Sequence, residues 1–171
     1  MATFSKKVCL LGDFAVGKTS LVRRFVYNLF SDKYLSTIGV NVSRKTVAVQ
    51  QADDVAELTM MLWDLAANAE FDQMQASYLR GAAGAIVVCD LTRPETLSSV
   101  KTHAQNLRDT SAKAHLILAA NKADLVDQHQ VTPAEVEAVA AALEVPFYFT
   151  SAKNGTQVED IFRHLGRLLL A

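Results

Sequence analysis

The residues with the clearest chemistry form a short segment near the amino terminus. Residues 12–19 read Gly-Asp-Phe-Ala-Val-Gly-Lys-Thr and match the phosphate-binding pattern G-x-x-x-x-G-K-[ST], between an apolar run and a helical pattern. Gly12 and Gly17 permit a backbone path that wraps a polyphosphate with N–H groups, and the helix start adds a positive dipole end. Lys18 would reach the β- and γ-phosphates, and Thr19 would offer its hydroxyl to Mg²⁺. The predicted nucleotide contacts in this segment are Gly12, Phe14, Ala15, Val16, Gly17, Lys18, Thr19 and Ser20.

A second group of polar residues could read a base. Asn121-Lys122-Ala123-Asp124 follows an apolar run, and Ser151-Ala152-Lys153 follows the last predicted strand. The carboxylate of Asp124 can accept from both N1 and N2 of guanine, whereas adenine would leave it unpaired. A site of this kind rejects the wrong base by roughly 10⁴-fold or more. Lys122 would lay its aliphatic stem along the base, and the N–H of Ala152 would meet the guanine carbonyl. The predicted base contacts are Asn121, Lys122, Asp124, Ser151, Ala152 and Lys153.

Composition limits the remaining function classes. The chain has 171 residues, 50% hydrophobic and 20% charged, so residues 1–171 are predicted to form one globular domain. A net charge of −1 without a clustered basic face argues against a nucleic-acid partner. Cys9 and Cys89 lie in apolar runs, which favours buried thiols in a reducing, cytoplasmic compartment. The sequence shows no signal segment, membrane span, prenylatable cysteine or clustered zinc ligands, so we expect a monomer without a direct membrane anchor.

Short apolar runs alternate with helical patterns along the whole chain, which indicates an α/β fold. A polar turn at residues 50–54 predicts a hairpin between two of the strands. The expected architecture is a six-stranded, mostly parallel sheet with one antiparallel edge pair and helices on both faces. The predicted strands are residues 7–11, 43–50, 57–63, 85–90, 116–120 and 147–149, and the predicted helices are residues 18–27, 71–80, 94–110, 133–143 and 156–169.

With these motifs in place, the chain resembles the Ras superfamily of small GTPases, and its Rab-like branch in particular. The resemblance covers nearly the whole chain and rests also on segments 36–40, 63–64 and 78–82. It implies a P-loop G domain that binds GTP or GDP with Mg²⁺ and acts as a molecular switch. Effectors, exchange factors and activating proteins would bind through two switch regions, residues 28–37 and 66–80.

The same resemblance implies roles for individual residues. Thr37 would bind Mg²⁺ and the γ-phosphate in the GTP state, and Asp64 would hold Mg²⁺ through water. Lys18, Thr37 and Asn68 would serve catalysis, while Thr19, Thr37 and Asp64 would form the metal site. Phe30 would lie against the guanine ring and Ala67 near the γ-phosphate. Val42, Trp63 and Tyr78 would form an apolar effector patch, although plain core packing is an equally good interpretation of Trp63 and Tyr78.

Three positions depart from the pattern of the resembled family. Its second-switch motif reads Asp-x-x-Gly-Gln, whereas Asp64 is followed here by Leu65, Ala66, Ala67 and Asn68. Ala67 loses the backbone freedom of glycine, and Asn68 carries its amide on a stem one methylene shorter than glutamine. Phe14 stands where relatives usually carry Gly or another small residue. These changes predict slow hydrolysis, because this chemistry depends almost entirely on positioning.

Two alternatives remain open beside the hydrolysing switch. One is a nucleotide-loaded adaptor with negligible hydrolysis, which Phe14, Ala67 and Asn68 favour. The other is a P-loop kinase or ATPase of another branch, against which Asn121 and Asp124 argue. The carboxylate of Asp13 is predicted to face the surface and not to act as a base.

Overall fold

One six-stranded sheet organises the described part of the chain. The computed structural model describes residues 1–33, 37, 39–67 and 74–171. Within them the strand order is β2-β3-β1-β4-β5-β6, with β2 and β3 antiparallel and the other neighbouring pairs parallel. The strands are β1 (Thr3–Gly12), β2 (Val40–Gln50), β3 (Val55–Leu65), β4 (Gly84–Asp90), β5 (His115–Asn121) and β6 (Phe147–Thr150).

Helices cover both faces of this sheet, and each face has its own hydrophobic core. On one face, Leu21 and Phe25 of α1 pack with Ile161 and Phe162 of α6 against the sheet. On the other, helices α4 and α5 contribute the buried residues Val100, Leu107 and Val136. The helices are α1 (Lys18–Tyr27), α2 (Gln75–Leu79), α3 (Pro94–Ser98), α4 (Val100–Thr110), α5 (Pro133–Leu143) and α6 (Val158–Leu169).

Parallel pairing brings the predicted motifs to one edge of the sheet. Gly12, at the end of β1, pairs with Val88 of β4, so the phosphate loop begins beside the end of β4. Asn121, at the end of β5, pairs on one side with Asp90 and on the other with Thr150. The loops after β1, β4, β5 and β6 therefore meet at the carboxyl ends of the strands, where ligands bind in open α/β sheets.

The fold class predicted from the sequence is confirmed, and most elements lie where they were expected. Strand β1 is the clearest difference, since it begins at Thr3 and not at Lys7. Residues 3–7 pair in register with Glu57–Met61 of β3, although their side chains are exposed or only partly buried. Such backbone pairing leaves no apolar pattern in the sequence to detect.

Helix boundaries differ at three places. The predicted helix 94–110 is divided into two helices at Ser99, although the N–H of Ser99 still donates to the carbonyl of Glu95 and its carbonyl still accepts from His103. Helix α6 begins at Val158 and not at residue 156. Of the predicted helix 71–80, the structure shows Gln75–Leu79, and residues 71–73 lie outside the described residues. Across the described ranges, no helix is long and apolar enough to span a membrane.

Candidate functional site

A cleft of about 370 Å³ opens at the carboxyl ends of the strands. The cleft is lined by residues of the phosphate loop, the loop after β5 and the loop after β6. Residues 30–33 and Thr37 of the first-switch segment also line it. Gly12, Val16 and Ser151 do not line it; Val16 and Ser151 are fully buried behind the lining residues. The predicted nucleotide contacts that line the cleft are Phe14, Ala15, Gly17, Lys18, Thr19, Ser20, Phe30, Thr37, Ala67, Asn121, Lys122, Asp124, Ala152 and Lys153.

Two glycines give the phosphate loop its path. Gly12 has φ +145°, and a Cβ there would lie 2.4 Å from the carbonyl oxygen of Val88. Gly17 has φ +107°, and a Cβ there would lie 2.2 Å from Nδ2 of Asn121. Any side chain at these positions would be strained and would collide with a neighbouring loop or strand. The glycines of the motif are therefore required by the close approach of the loops as well as by backbone angles.

The carbonyl oxygens of the phosphate loop accept hydrogen bonds from Lys18 of the same motif and from three residues much farther along the chain. The ammonium of Lys18 donates to the carbonyls of Gly12 and Asp13, both at 2.9 Å. A guanidinium, an ammonium and an amide from other loops bind the next three carbonyls. These bonds join Arg93 Nη2 to Phe14 at 2.7 Å, Lys122 Nζ to Ala15 at 3.1 Å and Asn121 Nδ2 to Val16 at 2.9 Å. Donors thus hold five successive carbonyls, at residues 12–16.

Three oxygen-bearing side chains converge at the start of α1. The hydroxyl of Thr19 lies 2.5 Å from that of Thr37 and donates to Oδ2 of Asp64, also at 2.5 Å. Oδ1 of Asp64 is buried without a hydrogen-bond partner among the described residues. Burial raises the pKa of the Asp64 carboxyl, against the opposing effects of the Thr19 bond and the Lys18 charge. Two hydroxyls and an undersatisfied carboxylate are ligands that suit a hard cation such as Mg²⁺.

The loops after β5 and β6 are bonded to each other beside the cleft. Ser151 donates to Oδ1 of Asp124 at 2.8 Å, and Thr150 donates to Oδ1 of the buried Asn121 at 3.1 Å. Arg24 of α1 binds the carbonyl of Ala152 at 2.8 Å and also that of Lys153. Each part of the predicted base site is therefore oriented by a neighbour before any ligand contact is considered.

The predicted second-switch residues are only partly described. Ala67 is half-buried and lines the cleft, as does Phe14, whose side chain is 56% exposed. Asn68, the residue expected to orient water, lies outside the described residues. The structure thus brings Phe14 and Ala67 to the same cleft as Lys18, while the contacts of Asn68 stay a prediction.

The predicted apolar patch combines Val42 of β2 and Trp63 of β3 with Tyr78 of α2. Val42 pairs with Trp63 in the antiparallel ladder and is 47% exposed. The rings of Trp63 and Tyr78 lie 6.3 Å apart and are half-buried, and the Lys7 ammonium lies 3.9 Å from the Trp63 ring centroid. Both rings pack against the core and remain partly exposed, so core packing accounts for part of each ring and the effector patch stays a prediction.

Sequence reasoning missed four residues that contact the site through other residues, namely Arg24, Asp90, Arg93 and His103. Arg24 donates to carbonyls of the loop after β6. Asp90 contacts the loop after β5, and Arg93 donates to the phosphate loop after β1. The side chain of Asp13 is hydrogen-bonded to Nε2 of His103 at 2.8 Å and is 29% exposed, so it is less open than a surface position predicts. An aspartate that ends a wholly apolar strand is the one signal that could have drawn attention to Asp90.

The phosphate loop and the predicted base loops lie together at one edge of a mostly parallel sheet. This arrangement defines a nucleotide-binding domain of the P-loop class.

A model of the Ras family matches residues 7–171. Human Ras-related protein Rab-22A is 37% identical over 169 residues, which cover 98% of this chain and 84% of the relative. The mouse Rab-22A gives the same values. Ras-related protein RABD2c of Arabidopsis thaliana is 38% identical over 157 residues, covering 91% of this chain and 76% of that protein. The chain belongs to the Ras family of small GTPases, GTP-binding switches, and is Rab-like within it.

Proposed function

We propose that this chain is one G domain, residues 1–171, that binds GTP or GDP with Mg²⁺ in the cleft and hydrolyses GTP slowly. The observation that carries the proposal is the convergence of the phosphate loop, the base loops and the Thr19–Thr37–Asp64 cluster on one cleft. A polyphosphate, a base and a cation would thereby be bound side by side. These three features together are what the magnesium complex of a nucleoside polyphosphate needs.

In this proposal the base is recognised by Asp124 and the loop that contains Ala152. Ser151 occupies one oxygen of Asp124, which fixes the carboxylate against rotation and leaves its second oxygen and remaining lone pairs for the guanine donors. The stem of Lys122 would lie along the base, and the ring of Phe30 lines the same cleft. Guanine is favoured over adenine because only guanine can donate two hydrogen bonds to the partly buried carboxylate of Asp124.

The proposed metal ligands are Thr19, Thr37 and Asp64, with Asp64 acting through water. When bound, Mg²⁺ would neutralise charge on the phosphate oxygens. Their mutual hydrogen bonds and the unpartnered Oδ1 of Asp64 support this assignment. Thr37 would also donate its N–H to the γ-phosphate, so the first switch would respond to the difference between GTP and GDP.

Catalysis by the chain's own residues would consist of positioning and charge stabilisation. Lys18 and the loop N–H groups would stabilise charge that develops on the γ-phosphate oxygens as water attacks in line. Asn68 would orient that water from a shorter stem than glutamine provides. Ala67 would offer its N–H without the backbone freedom of glycine. Both features support slow intrinsic turnover, and an arginine supplied by an activating protein would meet the ring of Phe14.

A second candidate is a nucleotide-loaded adaptor with negligible hydrolysis. The exposed ring of Phe14 in the cleft, beside Ala67, favours it. In either case effectors, exchange factors and activating proteins would bind through residues 28–37 and 66–80, and the patch of Val42, Trp63 and Tyr78 would take part. Two free, buried cysteines support a reducing, cytoplasmic setting, and we expect a monomer without a nucleic-acid partner.

Single-turnover hydrolysis of γ-labelled GTP with Mg²⁺ tests the proposal and separates the two candidates. Slow but measurable phosphate release from the parent, accelerated by Asn68→Gln or Ala67→Gly, is the expected result. The surface substitutions Asn106→Gln and Ala112→Gly repeat the same chemical changes away from the cleft and should leave the rate unchanged. Tight GTP binding without release over hours would favour the adaptor, and failure to bind any guanine nucleotide would refute both.

A further inference from the structure

One residue of the phosphate loop has a backbone conformation that its side chain disfavours. Ala15 has φ +61°, in the left-handed region, where the Cβ of any residue other than glycine is strained. The loop conformation is therefore not the local preference of its own sequence. Contacts from elsewhere in the chain must hold it.

Two cations supply such contacts on either side of Ala15. Arg93 Nη2 donates to the carbonyl of Phe14, which precedes Ala15, and Lys122 Nζ donates to the carbonyl of Ala15 itself. Each peptide plane that flanks the strained residue is thus fixed by a charged donor. Hydrogen bonds from charged donors are stronger than those between neutral groups.

Both cations are held by one buried carboxylate. Oδ2 of Asp90 lies 3.0 Å from Nε of Arg93 and 2.8 Å from Nζ of Lys122, and Oδ1 accepts from the backbone and hydroxyl of Thr92. The carboxylate is 1% exposed, whereas the Arg93 side chain is 33% exposed. Burial alone would raise the pKa of Asp90, but the bonds from Lys122, Thr92 and Arg93 outweigh it and lower the pKa, so the group stays ionised.

We propose that Arg93 is a positioning residue of the nucleotide site: with Asp90 it holds the strained turn at Ala15 and links the phosphate loop to the base-reading Lys122. This inference rests on the proposed nucleotide site. Arg93 itself is not among the residues that line the cleft. Its loss would let the peptide between Phe14 and Ala15 turn, and it would leave the amides of the loop less well aimed at the β-phosphate.

The test measures release of a fluorescent GDP analogue from the full chain. Arg93→Ala should speed release about tenfold, which corresponds to about 1.4 kcal/mol. Arg93→Lys retains a charge beside Asp90 but cannot span both partners, so it should give an intermediate rate. The matched control is Arg108→Ala, because Arg108 binds the carbonyl of Leu143 at 2.7 Å in the same manner, away from the cleft. That variant should release GDP at the parent rate.

A second substitution distinguishes positioning from general loss of stability. Glycine adopts positive φ without strain, so Ala15→Gly should restore slow release when combined with Arg93→Ala. The ³¹P resonance of the bound β-phosphate should shift in Arg93→Ala, return in the double variant and stay fixed in Arg108→Ala. Equal release rates for Arg93→Ala and Arg108→Ala, or no rescue by Ala15→Gly, would overturn the inference. A parent chain that binds no GDP would instead refute the proposed function on which it rests.

Discussion

Exchange of Asp124 for asparagine should change which base the site accepts. In the structure, Ser151 donates to Oδ1 of Asp124 at 2.8 Å. Asparagine retains one carbonyl oxygen that can accept this bond, so the loop geometry should survive. The other position becomes an NH₂ donor, which would face the N1–H and N2–H donors of guanine. The variant therefore keeps the scaffold and reverses one half of the recognition.

The magnitude follows from the two bonds that guanine would make to the carboxylate. A hydrogen bond to a charged group contributes about 1.5–3 kcal/mol, so losing two costs about 3–6 kcal/mol, or about 10²–10⁴-fold in affinity. Xanthine carries a carbonyl where guanine carries its amino group, and this carbonyl can accept from the new NH₂. Asp124→Asn should thus bind xanthosine diphosphate more tightly than GDP.

Competition titrations with GDP, xanthosine diphosphate and ADP against a fluorescent nucleotide measure this directly. Ser151→Ala is the companion variant, because it frees the carboxylate to rotate and should weaken GDP without any gain for xanthosine diphosphate. Unchanged GDP affinity in Asp124→Asn would refute the assignment of Asp124 to the base. Comparable affinity of the parent chain for ADP would point instead to a P-loop enzyme of another branch.

Three further predictions concern backbone geometry, thiol reactivity and acid stability. Gly17→Ala should abolish GDP binding, because its Cβ would lie 2.2 Å from Nδ2 of Asn121; Gly81→Ala, at φ +77° with nothing described within 4 Å, shows the cost of backbone strain alone. Burial raises the pKa of Cys9 to about 11, and burial together with Asp90 raises that of Cys89 to about 12. Neither thiol should react with a disulfide reagent at pH 8 until the protein is unfolded, and labelling of the folded chain would contradict this. The pKa of Asp90 is lowered on folding, so its contribution to stability is complete above about pH 3.9 and is lost as the pH falls through the lower folded value. Urea unfolding against pH should show this acid loss in the parent and not in Asp90→Asn, and parallel curves would refute it.

The sequence predicted the parts of the site that are contiguous in the chain. The phosphate loop, the predicted base loops and the alternation of strands and helices each leave a local pattern in the sequence. The structure places these loops together at one edge of the sheet. Because parallel strands end at the same edge, the meeting of these motifs followed from the fold class.

What the sequence did not predict depends on pairs of residues far apart in the chain. The bond between Arg93 and Phe14 joins residues 79 positions apart, and no local pattern marks it. The extra length of β1 comes from backbone pairing with β3 and leaves no apolar signal.

Helix α1 connects the two ends of the proposed ligand. Lys18 and Thr19 lie in its first turn, beside the phosphate loop. Arg24 lies farther along the helix and donates a hydrogen bond to the carbonyl of Ala152. The helix has ten residues and spans about 15 Å, so one short helix contacts both the phosphate loop and the loop after β6. If a nucleotide favours the present position of α1 and a partner protein favours a displaced position, each lowers the binding affinity of the other by the same factor. A protein partner that displaced α1 would therefore weaken nucleotide binding without occupying the nucleotide cleft, and bound nucleotide would weaken the binding of that partner equally.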